Sequence, residues 1–124
     1  MVKDWEREVA IKVACALGAV EVDGIYSNGS RVFDFDDPTS PYWFDPCNNV
    51  EDAWPIMESN EISIVRDRDN GRWIAIAGFS ITENEWSFCD GPEYEMQDRK
   101  PFRAAMALFI QMQNDQLDKT RFKQ

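Results

Sequence analysis

The strongest constraint on this fold is an uninterrupted run of seven apolar residues, 104–110, near the C-terminus. Lys100-Pro101 precedes the run, and proline is favoured at the first position of a helix because its missing N–H is not needed there. The sequence therefore predicts that a last helix begins at this point. Since seven residues cover almost two helical turns, the middle of that helix must be buried on most of its sides.

The same helix carries larger apolar side chains at helical spacing: Phe102, Met106, Phe109 and Met112. A stripe of this kind is typical of core packing. Arg103 is expected to face the other way and to pair with a nearby acid. The chain is polar from about residue 117, so we expect a frayed C-terminal tail there.

A second helical pattern occupies residues 3–17. Its apolar residues recur at steps of three and four, which predicts one buried face; they are Val2, Trp5, Val9, Val13, Ala16 and Leu17. Glu6 falls off that face, and Cys15 is expected to be a small buried side chain. Gly18 is expected to end the helix in the left-handed conformation that glycine adopts readily.

The segments between these helices predict mostly antiparallel strands. Two strands are expected to form a hairpin around Asn28-Gly29, and three to form a meander; they are residues 19–22, 31–36, 62–65, 73–79 and 86–88. The apolar run at 73–79 is typical of a strand buried on both faces. Residues 89–99 are expected to be a loop.

A short helix is expected between the hairpin and the meander, ending near Glu58. Asn48 or Asn49 can accept a backbone N–H and cap its start. Glu51 and Asp52 would then lie in the first turn, where the helix dipole favours negative charge. Pro55 is tolerated only near the first turn, so the helix is expected to be short or to begin late.

Three helices and four or five mostly antiparallel strands indicate an α+β protein, arranged as a layered α/β sandwich. The 124 residues are 44% hydrophobic, which suits a single domain over residues 1–124. No apolar run approaches the roughly 18 residues of a membrane span. The N-terminus lacks the basic and apolar regions of a secretory signal. We therefore expect a cytoplasmic protein that makes no membrane contact.

Acidic residues are concentrated in one part of the chain. Residues 19–61 hold ten acidic residues and one basic residue, and the whole chain has a net charge of −10. A nucleic-acid backbone is bound by clustered Lys and Arg, so direct nucleic-acid binding is disfavoured. A basic protein partner, or a basic groove that normally holds nucleic acid, is electrostatically favoured.

The residue inventory argues against several kinds of chemistry. The chain has no histidine, which removes Ser-His-Asp and Cys-His nucleophile systems and the commonest general base. Cys15, Cys47 and Cys89 are far apart and lack Cys-x-x-Cys spacing, so they make a poor zinc site. The sequence thus predicts no catalytic residue, no metal site and no cofactor. Catalysis by paired carboxylates stays open because acids are plentiful.

The acidic segment supplies candidate partner-binding residues. Asp34, Asp36 and Asp37 resemble a carboxylate cluster for a divalent cation, but a solvated acidic strand face is the commoner explanation. Together with acids of the second helix they form the predicted binding surface. The full set is Asp34, Asp36, Asp37, Glu51, Asp52 and Glu58.

Residues 42–54 combine aromatic side chains with carboxylates and amides. Aromatic walls with a few fixed polar groups suit a small-molecule pocket or a protein-binding hot spot. A helix cap with two core tryptophans is the alternative, and both stay open. A phosphate ligand would need Arg31, Arg66 or Arg103 to reach the pocket. Its candidate lining is Tyr42, Trp43, Asp45, Asn48, Asn49 and Trp54.

Two separate motifs resemble a phage family. Residues 44–56 are Phe-Asp-Pro-Cys-Asn-Asn-Val-Glu-Asp-Ala-Trp-Pro-Ile, with Glu-Ile-Ser-Ile at 61–64, and residues 100–107 are Lys-Pro-Phe-Arg-Ala-Ala-Met-Ala. In this order they resemble the NinX-like proteins of lambdoid phages and prophages. The family pattern has Asn in place of Lys100, Leu in place of Phe102 and a second Pro in place of Val50.

The resemblance implies a phage or prophage origin, the bacterial cytoplasm and an α-β-α sandwich. It carries over no activity and no functional residues. Our leading hypothesis is a non-enzymatic accessory protein that binds and modulates a basic host protein, such as a defence or nucleic-acid-handling factor. The alternatives are a binding protein for a nucleotide signal and a metal-dependent carboxylate enzyme. The sequence also leaves a homo-oligomer open.

Overall fold

The last helix is the element on which the others pack. The computed structural model describes residues 2–82, 84 and 87–122, with side chains between residues 5 and 117. The helices are α1 (Val2–Ala16), α2 (Val50–Ser59) and α3 (Pro101–Phe122). The strands are β1 (Val20–Val22), β2 (Ile25–Ser27), β3 (Val32–Phe33), β4 (Ser63–Asp67), β5 (Arg72–Ala77), β6 (Ser80–Ile81), β7 (Phe88–Asp90) and β8 (Tyr94–Asp98).

The middle of α3 is buried, as its apolar run predicts. Met106 and Leu108 are fully buried and Phe109 is only 2% exposed. The helix packs on β5 and β8 of one sheet and also on α1 and α2. Partners on several sides explain why the apolar run is continuous rather than a single stripe. The helix continues to Phe122, so the polar end that was expected to fray is helical in the structure.

α1 turns a different face to the core from the one that the large apolar residues suggest. Trp5 and Leu17 are 43% and 37% exposed, and Cys15 is exposed, so its predicted burial is wrong. Small residues fill much of the buried face because α1 packs directly against α3. The buried residues are Glu6, Val9, Ala10, Val13 and Ala14.

Gly18 ends α1, as predicted. Its φ is +98°, a conformation that costs residues with a Cβ atom about 1–2 kcal/mol. The Gly18 N–H donates to the Cys15 carbonyl at 3.0 Å, and the Ala19 N–H donates to the Ala14 carbonyl at 3.0 Å. This pair of bonds is a Schellman motif, which satisfies the last carbonyls of the helix.

The predicted N-terminal hairpin is a three-stranded sheet with the order β1-β2-β3. β2 lies between the two strands that were expected to pair directly, so that pairing is wrong. The turn Asp23-Gly24, with φ of 54° and 81°, joins β1 to β2. Asp-Gly is a strong hairpin signal because a type I′ turn needs positive φ at both positions. Asn28-Gly29 is the second turn, between β2 and β3.

The cap of α2 is Asn49, one of the two candidates from the sequence. Its side-chain oxygen accepts the Glu51 N–H at 3.1 Å. Pro55 lies in the second turn of the helix, later than the position at which proline was expected to be tolerated. The short helix tolerates Pro55 because only one hydrogen bond, the one to the Glu51 carbonyl, is lost.

The main sheet has the order β4-β5-β8 and is antiparallel throughout. β4 and β5 correspond to predicted strands, but β8 lies in the stretch that was assigned to a loop. The strand expected around Phe88 pairs instead with β6 in a separate two-stranded ribbon. Trp86, the other residue of that prediction, lies outside the described residues. The alternation of Tyr94 and Met96 with Glu95 and Gln97 is the sequence signal that the loop assignment overlooked.

One face of the main sheet packs on α3, and the other face is partly exposed. Ile64, Ala75 and Met96 are in register on the covered face. On the opposite face Val65 is 48% exposed, although Ile76 is 6% exposed. Within β5, Ala75, Ile76 and Ala77 are buried, as predicted for a strand covered on both faces, whereas Trp73 and Ile74 are half-buried.

The α+β class is confirmed, but the strand count differs. The described part of the chain contains eight strands in three small sheets, not four or five strands in one. Short strands with two or three residues account for the difference. Contacts run from the main sheet to α3 and from α3 to α1 and α2.

The substitution Leu108→Ala tests the burial of α3. It leaves a cavity in a fully buried part of the helix and is expected to lower the free energy of unfolding by about 2–5 kcal/mol. Urea denaturation followed by circular dichroism measures the change. Leu117→Ala, on the same helix at a residue that is 65% exposed, is the matched control and should cost less than about 0.5 kcal/mol. Equal losses would contradict the description of α3.

Candidate functional site

A polar network joins the start of α1, the loop before α2 and the start of α3. Glu6 is 7% exposed. Its carboxylate accepts hydrogen bonds from Lys100 Nζ at 3.2 Å and from Asn48 Nδ2 at 3.2 Å. Lys100 Nζ also donates to Asn48 Oδ1 at 3.1 Å. A buried carboxylate is stable only when its oxygens are bonded, so these contacts fix the loop against both helices.

The loop before α2 is a tight turn over Asp45–Asn49. The N–H groups of Asn48 and Asn49 donate to the Asp45 carbonyl at 3.2 and 2.8 Å, and Asn48 Nδ2 donates to Asp45 Oδ2 at 3.0 Å. Cys47 is buried inside this turn. Burial, with the nearby charges of Glu6 and Asp45, raises the pKa of its thiol to about 12. Cys47 is therefore a protonated packing residue near neutral pH.

A second buried carboxylate, Asp52, connects the same loop to the first sheet. It accepts hydrogen bonds from the Asp45 N–H at 2.9 Å and from Asn49 Nδ2 at 3.2 Å. Arg31 Nη2 lies 2.9 Å from its other oxygen. The Arg31 guanidinium also lies over the rings of Phe44 and Phe33, 4.7 and 5.1 Å from their centres. Arg31 is thus held by one carboxylate and two aromatic faces.

A cleft of about 450 Å³ opens beside the network around Glu6. Arg7 and Lys100 bring positive charge to its wall, and Glu6, Asp36 and Asp45 bring negative charge. Each cation contacts an acid of the wall, because Arg7 Nε lies 2.6 Å from Asp36 Oδ1 and Lys100 Nζ bonds to Glu6. The cleft is therefore a mixed-charge site with no excess of positive charge.

The structure brings together only part of the predicted ligand set. Trp43, Asp45 and Asn48 line this cleft, whereas Asn49 is occupied as the cap of α2. Tyr42 and Trp54 are 52% and 53% exposed, and each lines a different cleft. Trp54 is thus no core tryptophan, and Trp43 is only half-buried.

The predicted partner-binding acids also divide into groups. Asp34 does not lie on a solvated strand face, because β3 ends at Phe33 and the Asp34 carboxylate accepts the N–H groups of Asp36 and Asp37 at 3.0 and 3.4 Å. The first of these bonds lowers the pKa of Asp34. Asp37 accepts the Thr39 N–H and hydroxyl at 3.0 and 2.7 Å. These acids shape a turn.

The remaining predicted acids lie on α2. Glu51 and Glu58 are exposed, but Asp52 is 7% exposed and bonded on both oxygens. The assignment of Asp52 to a partner-binding surface is therefore wrong. The buried residues Ala53 and Ile56, one and four positions further along α2, place it on the inward side of the helix. Its burial requires the bonds described above.

The three arginines considered for a phosphate ligand do not line the cleft beside Glu6. Arg31 is held by Asp52, Arg66 lies over Trp73 at 5.6 Å, and Arg103 lies over Trp5 at 4.9 Å. Arg103 also pairs with Asp98 at 3.2 Å, which confirms the expected acid partner. Within the described residues, no three Cys, Asp or Glu side chains are grouped as metal ligands would be.

Sequence reasoning missed three cleft residues, Glu6, Arg7 and Lys100. The missed signal was the spacing of Glu6 from Val9 and Ala10, since steps of three and four residues place all three on one helix face. An alanine such as Ala10 must therefore be treated as a marker of the buried face of α1 just as a large apolar residue such as tryptophan is. Nothing in the local sequence links Glu6 to Lys100, because that contact spans 94 residues.

A comparison with known families decides where the chain belongs. The family model described as Bacteriophage P22, NinX, matches residues 5–113, from Trp5 in α1 to Gln113 in α3. The chain belongs to the NinX family. No curated protein matches the chain. The NinX match spans both buried carboxylates and the whole cleft, so these features lie inside the region that defines the family.

Lys100 lies immediately before α3, and its amine is one of the groups that bond to buried Glu6. The Lys100 carbonyl also accepts the Ala104 N–H at 3.2 Å and so forms the first hydrogen bond of α3.

None of the helices in the described residues has the length and hydropathy of a transmembrane span.

The substitution Asp52→Ala tests the inward role of this carboxylate. It leaves the Asp45 N–H and the Asn49 amide without their acceptor and is expected to lower the free energy of unfolding by about 2–3 kcal/mol. Glu58→Ala, at an exposed acid of the same helix, is the control and should change stability by less than about 0.5 kcal/mol. Urea denaturation of both variants measures the difference. Similar stability for the two variants would argue against the network.

Proposed function

We propose that this NinX-family protein acts without catalysis, by binding a basic host protein through the acidic part of its surface. The observation that carries the proposal is the distribution of the acids in residues 19–61. Asp52 points inward and holds Arg31, the one basic residue of that segment. Seven other acids of the segment are exposed: Glu21, Asp23, Asp36, Asp37, Glu51, Glu58 and Glu61.

The pairing of Arg31 with Asp52 supports the proposal because Arg31, although 42% exposed, balances the charge of Asp52 and leaves the exposed acids of the segment without compensation by it. Asp36 is partly balanced by Arg7, an exposed pair worth little in stability. A surface of one sign steers a partner of the opposite sign and suppresses like-charged ones. Binding to such a partner should weaken as salt screens the charges.

The chemistry of the buried groups supports a binding role over catalysis. Glu6 and Asp52 are committed to hydrogen bonds with neighbouring side chains and backbone. The raised pKa of Cys47 makes its thiol a poor nucleophile near neutral pH. Histidine, the commonest general base, is absent from the sequence.

Charge reversal tests the acidic surface. Immobilised wild-type protein is compared with a variant carrying Asp37→Lys, Glu51→Lys and Glu58→Lys in an affinity capture from host lysate, with quantitative mass spectrometry. Basic host proteins captured at low salt should be lost from the variant, and wild-type capture should fall as salt rises.

The matched control carries Asp69→Lys, Asp90→Lys and Glu95→Lys. These acids are exposed and lie outside residues 19–61, so the change in net charge is the same. The control should retain the captured proteins. Recovery of no salt-sensitive host protein by the wild type, or an equal loss from both variants, would count against the proposed function.

The cleft beside Glu6 supports a second candidate, the binding of a small polar ligand. Trp43 offers an aromatic wall, and Asp45 and Asn48 offer fixed polar groups, the combination that small-molecule sites use. A nucleotide phosphate fits poorly, because both cations of the wall already contact acids. A ligand carrying both charges, or a neutral nucleoside, fits the mixed wall better.

Thermal shift tests this second candidate. Amino acids, nucleosides and nucleotides are added to the wild type and to Trp43→Ala. A ligand at tenfold excess over its Kd stabilises the fold by about 1.4 kcal/mol. The wild type should respond to a nucleoside or zwitterion, and Trp43→Ala should not. A flat response across the panel, or the same shift in the variant, would rule the cleft out as the site.

A further inference from the structure

The first sheet has one face that packs inward and one that does not. Tyr26 and Phe33 are paired in register on the inward face, where both contact the core. The opposite face carries four aliphatic side chains, which we call the aliphatic face: Val20, Val22, Ile25 and Val32 are 64%, 64%, 58% and 37% exposed.

Strand register makes three of these residues neighbours. Val22 stands directly opposite Ile25, and residues in such a pair have Cβ atoms about 4.5–5.5 Å apart. Val20 is on the same face two residues before Val22, while Ser27 lies between Val20 and Val32. Val20, Val22 and Ile25 therefore form an apolar cluster with Val32 at its edge, and clustered exposed apolar residues mark interaction sites, unlike scattered single ones.

The aliphatic face continues into a cleft. Val32 and Tyr42, which is 52% exposed, both line a cleft of about 500 Å³ beside the sheet. An apolar surface with an aromatic at its border is the usual composition of a protein-binding hot spot. Tyr42 does not line the cleft beside Glu6, but it borders the aliphatic face.

The charges around the aliphatic face select the partner. Asp23 forms the turn between Val22 and Ile25 and is exposed, whereas Glu21 stands opposite Tyr26 and so lies on the other face. Arg31 lines the cleft beside Val32 and is 42% exposed, but its charge is paired with that of Asp52. The border of the face is therefore negative at the turn between β1 and β2, so a complementary surface is apolar in the centre with Lys or Arg beside that turn.

We propose that the aliphatic face is the docking surface for an amphipathic segment of a partner protein, with apolar residues along one side and basic residues flanking them. The inference deepens the proposed function and rests on it. The acids steer the partner, and Val22 and Ile25 supply the contact that holds it. A second copy of this chain is the poorer occupant, because each copy brings its own acidic border and a net charge of −10.

A synthetic amphipathic helix with a leucine face and lysine flanks is the probe. Its binding to the full chain is measured by fluorescence anisotropy. The variant Val22→Thr with Ile25→Thr keeps the β-branched shape and should bind at least about tenfold more weakly, because two hydroxyl groups would have to be desolvated at the contact. Val65→Thr, at a residue of β4 that is 48% exposed on the other sheet, is the control and should leave the affinity unchanged.

Three results would overturn the inference. The first is equal binding by the Val22→Thr, Ile25→Thr variant and the control, with unchanged urea midpoints for both. The second is equally tight binding of a lysine peptide that lacks the leucine face, since charge alone would then explain it. The third is a wild-type dimer in sedimentation velocity that the variant dissociates, since a second copy would then cover the face.

The same variants separate this inference from the proposed function. Host-lysate capture that depends on Asp37, Glu51 and Glu58 but survives Val22→Thr with Ile25→Thr would support the acidic surface and contradict the aliphatic face. Loss of probe binding in that variant, with no salt-sensitive capture by the wild type, would support the aliphatic face and contradict a basic host partner.

Discussion

The burial of the middle of α3 is the constraint on which the rest of the structure depends. Residues 104–106 and 108–109 are hidden almost completely, and no single neighbour can cover a helix on so many sides. The main sheet covers one side, and α1 and α2 cover others. The small residues of α1, such as Ala10 and Ala14, follow from this arrangement because they let the two helices approach closely.

Two buried carboxylates attach the remaining parts to that core. Glu6 joins α1 to Lys100 at the start of α3 and to the loop before α2. Asp52 joins the same loop to Arg31 and so to the first sheet. Each carboxylate has its oxygens bonded, which is the condition for burying charge. Seven exposed acids remain in residues 19–61, and the first sheet presents its aliphatic face outward.

The long elements of the fold and their caps could be predicted from the sequence, whereas the shortest strands and the contacts between residues distant in the chain could not. Helix positions, the glycine cap at Gly18 and the asparagine cap at Asn49 follow from local chemistry, and the NinX motifs identify the family. β2 and β8 were not predicted, because a strand of three residues and a strand with only two apolar residues, Tyr94 and Met96, leave weak patterns. The site was harder. Glu6 and Lys100 meet across 94 residues, and Asp52 looks like any acid of a first helical turn until its burial is known.

Native-state hydrogen exchange of the backbone amides tests the central place of α3 most directly. If the other elements depend on it, the amides of residues 105–110 exchange only through global unfolding, and their protection equals the full free energy of unfolding. The amides of β1 and β2 should exchange through local opening at a lower free energy. Faster exchange at 105–110 than in the first sheet would contradict the account, because α3 could then open while the elements packed on it stayed folded.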